Sequence, residues 1–243
     1  QLGGLVGWTS YATISNSSAS GSVNGTSELG ALVGESEYST IFNSSATGSV
    51  TGTVWIGGLI GSDSYSTISN SSATGSVTGT YSLGGLVGGA NRAIISNSSA
   101  SGTIIGTSYH LGGLVGWTSY ATISNSSASG SVNGTYNLGG LVGYGSGAII
   151  SDSFASGNVT GTADLGGLVG KGSNYITIDQ TSTTGSVMCS DGAPCTSIGG
   201  LIGSFGGFTV INGTNTWFNY TDDDAISCWG SGTPTVNGAC TTS

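Results

Sequence analysis

A five-residue glycine block, Gly-Gly-Leu-Val-Gly or a close variant, recurs along the chain and constrains the fold more than any other feature. The blocks begin at Gly3, Gly30, Gly57, Gly84, Gly112, Gly139, Gly166 and Gly199. The intervals between them are 27, 27, 27, 28, 27, 27 and 33 residues, and residues 3–26 recur unchanged as residues 112–135. A fixed period of this length indicates one structural unit stacked on copies of itself. It also argues against an enzyme, because catalysis needs a unique constellation and this chain mostly offers copies.

Within each repeat the apolar residues follow the period of a β-strand. Ala19, Gly21 and Val23 stand at spacing two, as do their counterparts in later repeats. Short segments of about 4–6 residues, separated by Gly, Ser, Asn or Thr, predict three strands per repeat. Gly21, Gly25 and their counterparts in later repeats are expected either to adopt positive φ or to allow backbones to approach closely. We therefore predict an all-β, single-stranded β-solenoid of about eight coils, expected to be right-handed, with parallel stacked sheets.

The C-terminal part of the chain departs from the repeat, which predicts two regions. Residues 1–203 form the solenoid repeats, and residues 204–243 form an atypical C-terminal cap or docking segment, since solenoids need a terminal piece to cover the last coil. The acidic run Asp222, Asp223 and Asp224 lies in this segment. Calcium at this run stays open, but no EF-hand or nonapeptide pattern surrounds it. We predict no cofactor and no metal site.

Four cysteines lie toward the same end of the chain. Cys189 and Cys195 enclose a turn-forming segment, and Cys228 and Cys240 enclose a second segment rich in Gly and Thr. Neither spacing fits a zinc site. Two local disulfides are expected, with four buried free thiols as the alternative, and disulfides indicate an oxidising compartment.

Charge and hydropathy limit the partners of this chain. The net charge is −9, and Arg92 and Lys171 are the only basic residues besides His110. Nucleic acid is excluded as a partner, because phosphate binding needs clustered Lys and Arg. No apolar run reaches the roughly 20 residues of a membrane-spanning helix. With the cysteines and ten N-x-[ST] sequons, this pattern predicts an extracellular or cell-surface location.

The repeat also resembles a known family. The segments GGLVG (residues 3–7) and ISNSSASGSVNG (residues 14–25), with their later copies, are similar to the GLUG repeat of bacterial and archaeal surface proteins. That family includes adhesins and the repeat regions of immunoglobulin A proteases. The resemblance covers about residues 1–203 and implies a secreted or cell-surface β-helical module. It does not imply protease activity, because the chain has no HExxH motif and His110 is its only histidine.

The sequons have two interpretations. One column repeats in register and ends at Asp152, which keeps the hydrogen-bonding shape but cannot carry a glycan. A ladder of Asn side chains bonded to adjacent coils is favoured for this column, because glycans about 4.8 Å apart would crowd one another. The column is Asn16, Asn43, Asn70, Asn97 and Asn125. Glycans are expected first at the remaining sequons, Asn24, Asn133, Asn158, Asn212 and Asn219.

Aromatic residues collect in two turns of the repeat. After the glycine block stand two columns: Tyr11, Tyr38, Tyr65, Arg92 and Tyr120, and then Trp8, Trp117 and Tyr144. The turn before the block holds Trp55, Tyr81, Tyr109 and Tyr136. Because aliphatic residues fill the core, we expect these rings at the surface, as a stripe that contacts glycans or other subunits. The alternative is ring stacking that only stiffens the turns.

The function predicted from these features is that of an extracellular structural protein. The chain enters the first coil at Gln1 and Leu2, so its sheet edges are expected to be open, and open edges accept strands of another chain. A missing upstream segment, a cap supplied by a partner and end-to-end polymerisation are the three explanations of such a start. Self-association into a filament, sheath or surface layer is expected, through these ends and the aromatic turns. Other surface proteins and glycans are the remaining partners considered. The alternative function is a cell-surface adhesin or carbohydrate-binding module.

Overall fold

The computed structural model describes residues 1–190, 195–206, 209–212, 216–218, 229–231, 235–237 and 240–242. All regular structure in these residues is β-strand, arranged in five parallel sheets in which each strand pairs with the equivalent strand one repeat away. Leu2 pairs with Leu29, for example, and Val50 pairs with Val77. The predicted all-β solenoid with parallel stacked sheets is therefore confirmed.

The first two sheets flank the glycine block. The strands of the first sheet are Leu2–Gly3, Ser27–Gly30, Val54–Gly57, Tyr81–Gly84, Tyr109–Gly112, Tyr136–Gly139, Ala163–Gly166 and Thr196–Gly199. Those of the second sheet are Val6–Ser10, Val33–Glu37, Ile60–Ser64, Val87–Asn91, Val115–Ser119, Val142–Ser146, Val169–Ser173, Ile202–Gly206 and Trp229–Ser231.

Three sheets of shorter strands complete each coil. The third contains Thr13–Ser15, Thr40–Phe42, Thr67–Ser69, Ile94–Ser96, Thr122–Ser124, Ile149–Ser151, Ile176–Asp179, Thr209–Asn212 and Thr235–Asn237. The fourth contains Ser18–Ala19, Ser45–Ala46, Ser72–Ala73, Ser99–Ala100, Ser127–Ala128, Phe154–Ala155, Ser182–Thr183, Thr216–Phe218 and Cys240–Thr242. The fifth contains Val23–Asn24, Val50–Thr51, Val77–Gly79, Ile104–Gly106, Val132–Asn133, Val159–Gly161 and Val187–Cys189.

The prediction of three strands per coil was wrong, because left-handed corners divide the coil more finely. Three columns of residues have φ near +50°, a conformation that L side chains adopt with strain. They fall within the first sheet and at both ends of the third. The first column is Glu28, Trp55, Ser82, His110, Asn137, Asp164 and Ser197. The second includes Tyr11, Tyr38, Tyr65, Arg92 and Tyr120, and the third is Asn16, Asn43, Asn70, Asn97, Asn125, Asp152 and Gln180.

The repeat glycines serve close approach rather than positive φ. Among the described glycines only Gly147 has a left-handed φ. A Cβ atom on Gly84 would lie 1.9 Å from the Val87 carbonyl oxygen within the turn of the glycine block. A Cβ on Gly75, in the turn before the fifth sheet, would lie 2.0 Å from the Gly48 carbonyl oxygen of the neighbouring coil. Of the two roles expected for these glycines, close approach is the one observed.

The core is a set of aliphatic columns inside the coil. Leu, Ile, Ala and Val side chains from successive coils lie against one another in one continuous cluster, and from Leu29 to Ile178 the fully aliphatic columns are almost completely buried. In the first coil Leu2 is 48% and Leu5 53% exposed, while Leu29 and Leu32, their counterparts one coil later, are 1% and 0% exposed. Each fully buried Leu, Ile or Val stabilises the stack by about 1.5–3 kcal/mol, so each coil depends on its neighbours.

The eight glycine blocks delimit about seven turns, since eight blocks enclose seven intervals. Beyond residue 206, the described strands extend the second, third and fourth sheets in parallel: Ile211 pairs with both Ile178 and Val236. The cap assigned to residues 204–243 stays a prediction. Cys228 and the Asp222–Asp224 run lie outside the described residues.

Candidate functional site

A ladder of serine hydroxyls runs along the solenoid at the corner before the fourth sheet. The Ser71 hydroxyl donates to the Ser69 carbonyl oxygen at 2.8 Å and accepts the backbone N–H of Ser44 from the neighbouring coil at 3.2 Å. The same pattern involves Ser17, Ser44, Ser71, Ser98, Ser126 and Ser153. Sequence reasoning placed the ladder one residue too early, on Asn. The signal was present, because a Ser follows the Asn or Asp in each of these copies.

The Asn column itself points to solvent. Asn16, Asn43, Asn70, Asn97 and Asn125 are all exposed. Among these residues one side-chain contact is present, from the Asn43 amide to the Asn16 oxygen at 3.5 Å. Their shared role is conformational, since Asn tolerates the left-handed corner better than most residues.

The remaining sequons differ in accessibility. Asn24 and Asn158 are exposed and Asn133 is half-buried. The Asn158 side-chain oxygen accepts the Ser186 N–H at 3.0 Å. The side chain of Asn212 and the whole of Asn219 lie outside the described part of the chain.

The tyrosine column after the glycine block forms a continuous stack, defined here as the tyrosine stack: Tyr11, Tyr38, Tyr65, Arg92 and Tyr120. The ring centroids of Tyr11 and Tyr38 are 5.0 Å apart and those of Tyr38 and Tyr65 are 4.8 Å apart, with interplanar angles of 5° and 12°. The Arg92 guanidinium lies between the rings of Tyr65 and Tyr120, 5.7 and 5.2 Å from their centroids. The rings therefore use their faces on one another and present mainly edges and hydroxyl groups to solvent.

A second group of rings, the aromatic patch, lies along the first and second sheets. It consists of Trp55, Tyr81, Tyr109, His110, Trp117, Tyr136 and Tyr144. Most of its contacts are tilted or edge-on: Trp55 and Trp117 make an angle of 43°, Tyr81 and His110 62°, and His110 and Tyr144 35°. Tyr109 and Tyr136 are the stacked pair, with centroids 4.8 Å apart. All of these side chains are half-buried except those of Tyr109 and Tyr136, which are exposed.

Trp55 lies in the same turn as Tyr81 but one position away from it in the register. Val54 is the register partner of Tyr81, and Trp55 stands at the adjacent left-handed corner. The Trp55 ring consequently crosses to the second sheet, where it lies over Gly89, a position without a side chain. Across this rim Gln1 likewise reaches the following coil through a hydrogen bond to Glu35, and His110 lies against Tyr144 of the coil that follows its own.

His110 contacts three tyrosine rings of the aromatic patch, those of Tyr81, Tyr109 and Tyr144. Its ring centroid lies 4.8 Å from that of Tyr81 and 4.9 Å from that of Tyr144. Burial, and to a smaller extent the nearby Lys171 charge, lowers the pKa of His110 to about 4. The imidazole is therefore neutral at ordinary pH. His110 was not identified as a site residue from the sequence, although it lies at the one-residue insertion of the fourth repeat.

Two polar pairs border the patch next to His110. The Lys171 ammonium lies 3.7 Å from the Asp164 carboxylate. The Tyr144 hydroxyl lies 2.7 Å from the Ser173 hydroxyl. The formal charges of the ion pair cancel, so this end of the patch is polar without net charge.

Asp63 is a buried carboxyl group in the second sheet. It is 0% exposed and stands at the inward position occupied by Ser36 and Ala90 in the adjacent coils. The Ser36 and Ser66 hydroxyls beside it lie 3.0 Å from each other. Burial raises the pKa of Asp63 to about 7, and those two hydroxyls offset only part of the effect. The sequence signal for this buried carboxyl group was an Asp in a column whose adjacent members, Ser36 and Ala90, are small.

The disulfide predicted between Cys189 and Cys195 is present, with Cα atoms 5.6 Å apart. It closes a loop at the end of a fifth-sheet strand.

The described residues contain no cluster of three or more His, Cys, Asp or Glu side chains placed to hold a metal ion. They also contain no helix long and apolar enough to cross a membrane.

Comparison with known families gives one result. A family model described as the GLUG motif matches residues 1–24, 25–51, 79–105, 107–133 and 134–160. These segments follow the coil boundaries and together span more than half of the chain. No curated protein and no solved structure gives a significant match.

Proposed function

Because this chain belongs to the family of GLUG-repeat proteins, we propose that it is a structural module of the cell exterior that self-associates into a filament, sheath or surface layer. The observation that carries the proposal is the in-register stacking of five parallel sheets. Each coil binds the next through parallel strand edges and aliphatic columns, and the coils from Ser17 to Ser153 add the serine ladder. A coil of a second chain offers the same features to an open strand edge.

The extracellular location is supported by the Cys189–Cys195 disulfide, since disulfides persist in oxidising compartments. Sparse charge fits a rod that packs against copies of itself, because only 5% of the residues are charged and few ionised side chains would lose their hydration at a contact. We include glycosylation in the proposal, first at Asn24, whose side chain is exposed. Intact mass spectrometry of protein from its native source tests this, and an unmodified mass contradicts it.

Electron microscopy and sedimentation over a range of concentrations test the self-association. We expect ordered polymers whose axial repeat equals the solenoid length. Leu5→Lys should abolish them, because Leu5 is exposed in the first coil at a position that is fully buried once a coil covers it. Thr40→Lys is the matched control, since Thr40 is exposed on the side of the rod and its substitution should leave polymers intact. A protein that stays monomeric at all concentrations contradicts the proposal.

A further inference from the structure

We propose that the aromatic patch is a binding site for a neutral oligosaccharide that lies along the solenoid axis. This inference goes beyond the structural role, and either one stands if the other fails. The rings proposed to bind the ligand are not those of the tyrosine stack, because the rings of that stack pack face to face.

The arrangement of the rings favours a ligand with apolar faces and hydroxyl groups. Small-molecule sites combine aromatic surface with a few polar groups that fix orientation. In the patch, Trp117 and Tyr144 are half-buried, and their rings are tilted relative to those of Trp55 and His110. The hydroxyl groups of Tyr109 and Tyr136 are available for hydrogen bonds, since these residues are 43% and 39% exposed.

The length of the patch favours a chain of two or more sugars rather than a single sugar. The Trp55 ring lies over Gly89, and Gly89, Trp117 and Tyr144 are register partners on three successive second-sheet strands. With about 4.8 Å between strands, the patch extends for roughly 10 Å. Its rings follow the axis, so a bound chain would run parallel to the stack of coils.

The charges around the patch favour a neutral ligand. Asp164 pairs with Lys171, the one lysine of the chain. His110 is uncharged at ordinary pH because its pKa is lowered to about 4. The chain as a whole carries a charge of −9, which repels polyanions. Acidic polysaccharides therefore gain no electrostatic attraction here.

The repeat contains its own control for this site. Trp8 and Trp117 occupy the same position in identical 24-residue sequences, residues 3–26 and 112–135. Trp117 lies beside Trp55 within the patch, whereas Trp8 stands beside Glu35 and is 54% exposed. Any difference between them comes from their neighbours and not from local sequence.

Isothermal titration of the full chain tests the site with hexasaccharides of glucose, N-acetylglucosamine, mannose and galactose, and with hexagalacturonate as the acidic comparator. We expect at least one neutral hexasaccharide to bind. Trp117→Ala should weaken that affinity by about tenfold or more, as expected for a central aromatic contact, while Trp8→Ala leaves it unchanged. Tyr109→Ala serves as a second variant, because its exposed ring can be removed without opening the core.

Circular dichroism and urea midpoints confirm that each variant is folded before its affinity is read. The proposal is overturned if none of the neutral hexasaccharides binds at millimolar concentration. It is also overturned if hexagalacturonate binds and they do not, or if Trp8→Ala reduces affinity as much as the substitutions at Trp117 and Tyr109.

Discussion

At the scale of single residues, position in the register decides a side chain's role more than its identity or local sequence does. Trp8 and Trp117 share 24 residues of identical context but have different neighbours. Tyr38 holds a left-handed corner and stacks on adjacent tyrosines, whereas Tyr81 belongs to a patch of tilted rings. Asp63 and Ala90 share one inward-facing position, yet only Asp63 carries an ionisable group there.

Replacing Asp63 with Ala should stabilise the protein at alkaline pH. The pKa of Asp63 is about 7 when folded against an ordinary value of 3.8, so the folded state holds its proton more tightly than the unfolded state. The free energy of unfolding therefore falls as pH rises from about 4 to about 7, by up to roughly 4 kcal/mol at 1.36 kcal/mol per pKa unit. Asp63→Ala removes that loss, and Ala fits because Ala90 occupies the equivalent site.

Urea midpoints of the two proteins at pH 4 and pH 8 measure this effect. We expect a clearly higher midpoint for Asp63→Ala at pH 8 and a much smaller difference at pH 4. An equal difference at both values would show that Asp63 keeps an ordinary pKa in the fold.

The residue patterns predicted the core better than they predicted the surface. The Leu, Ile, Ala and Val columns were recognised as apolar because each repeats in register, and they are the buried columns of the solenoid. The serine ladder was missed because Asn and Ser repeat together and periodicity does not say which of them turns inward. The contact between Trp55 and Trp117 could not be predicted from the sequence, since it depends on the one-coil offset between the first and second sheets.

At the scale of the element, each coil is short strands joined by corners that bring backbones into contact. Non-glycine residues such as Asn70 adopt the left-handed conformation at the corners. The glycines, which lack a side chain, let the backbone of the neighbouring coil approach closely. Gly75 and Gly21 occupy the same position of the turn before the fifth sheet. A Cβ on Gly75 would lie 2.0 Å from a carbonyl oxygen, whereas a Cβ on Gly21 would meet no atom within 4 Å.

Gly75→Ala should therefore destabilise the solenoid, while Gly21→Ala should be tolerated. The added methyl group on Gly75 forces two coils apart, and overpacking of this kind costs about 1–3 kcal/mol. Thermal unfolding followed by circular dichroism measures both variants. Equal unfolding temperatures for Gly75→Ala and Gly21→Ala would contradict the close approach of these backbones.

At the scale of the whole molecule, stability is a sum over stacked coils rather than the property of one central core. Each coil contacts mainly its neighbours, as in other repeat proteins. The aliphatic cluster nonetheless runs without a break through the described coils. Such a molecule should accept changes in the number of coils but not changes in their period.

Deleting residues 58–84 removes one complete repeat and joins Gly57 to Gly85, which restores the glycine block. We expect this variant to fold into a rod shorter by about 4.8 Å, because the strands of the coils on either side meet in register. Deleting residues 58–70 is the control: it removes half a coil and brings the fourth-sheet strand Ser72–Ala73 against second-sheet positions, so that inward and outward side chains no longer match. Circular dichroism and small-angle X-ray scattering compare the two. Equal loss of β-structure in both variants would mean that the coils are not interchangeable.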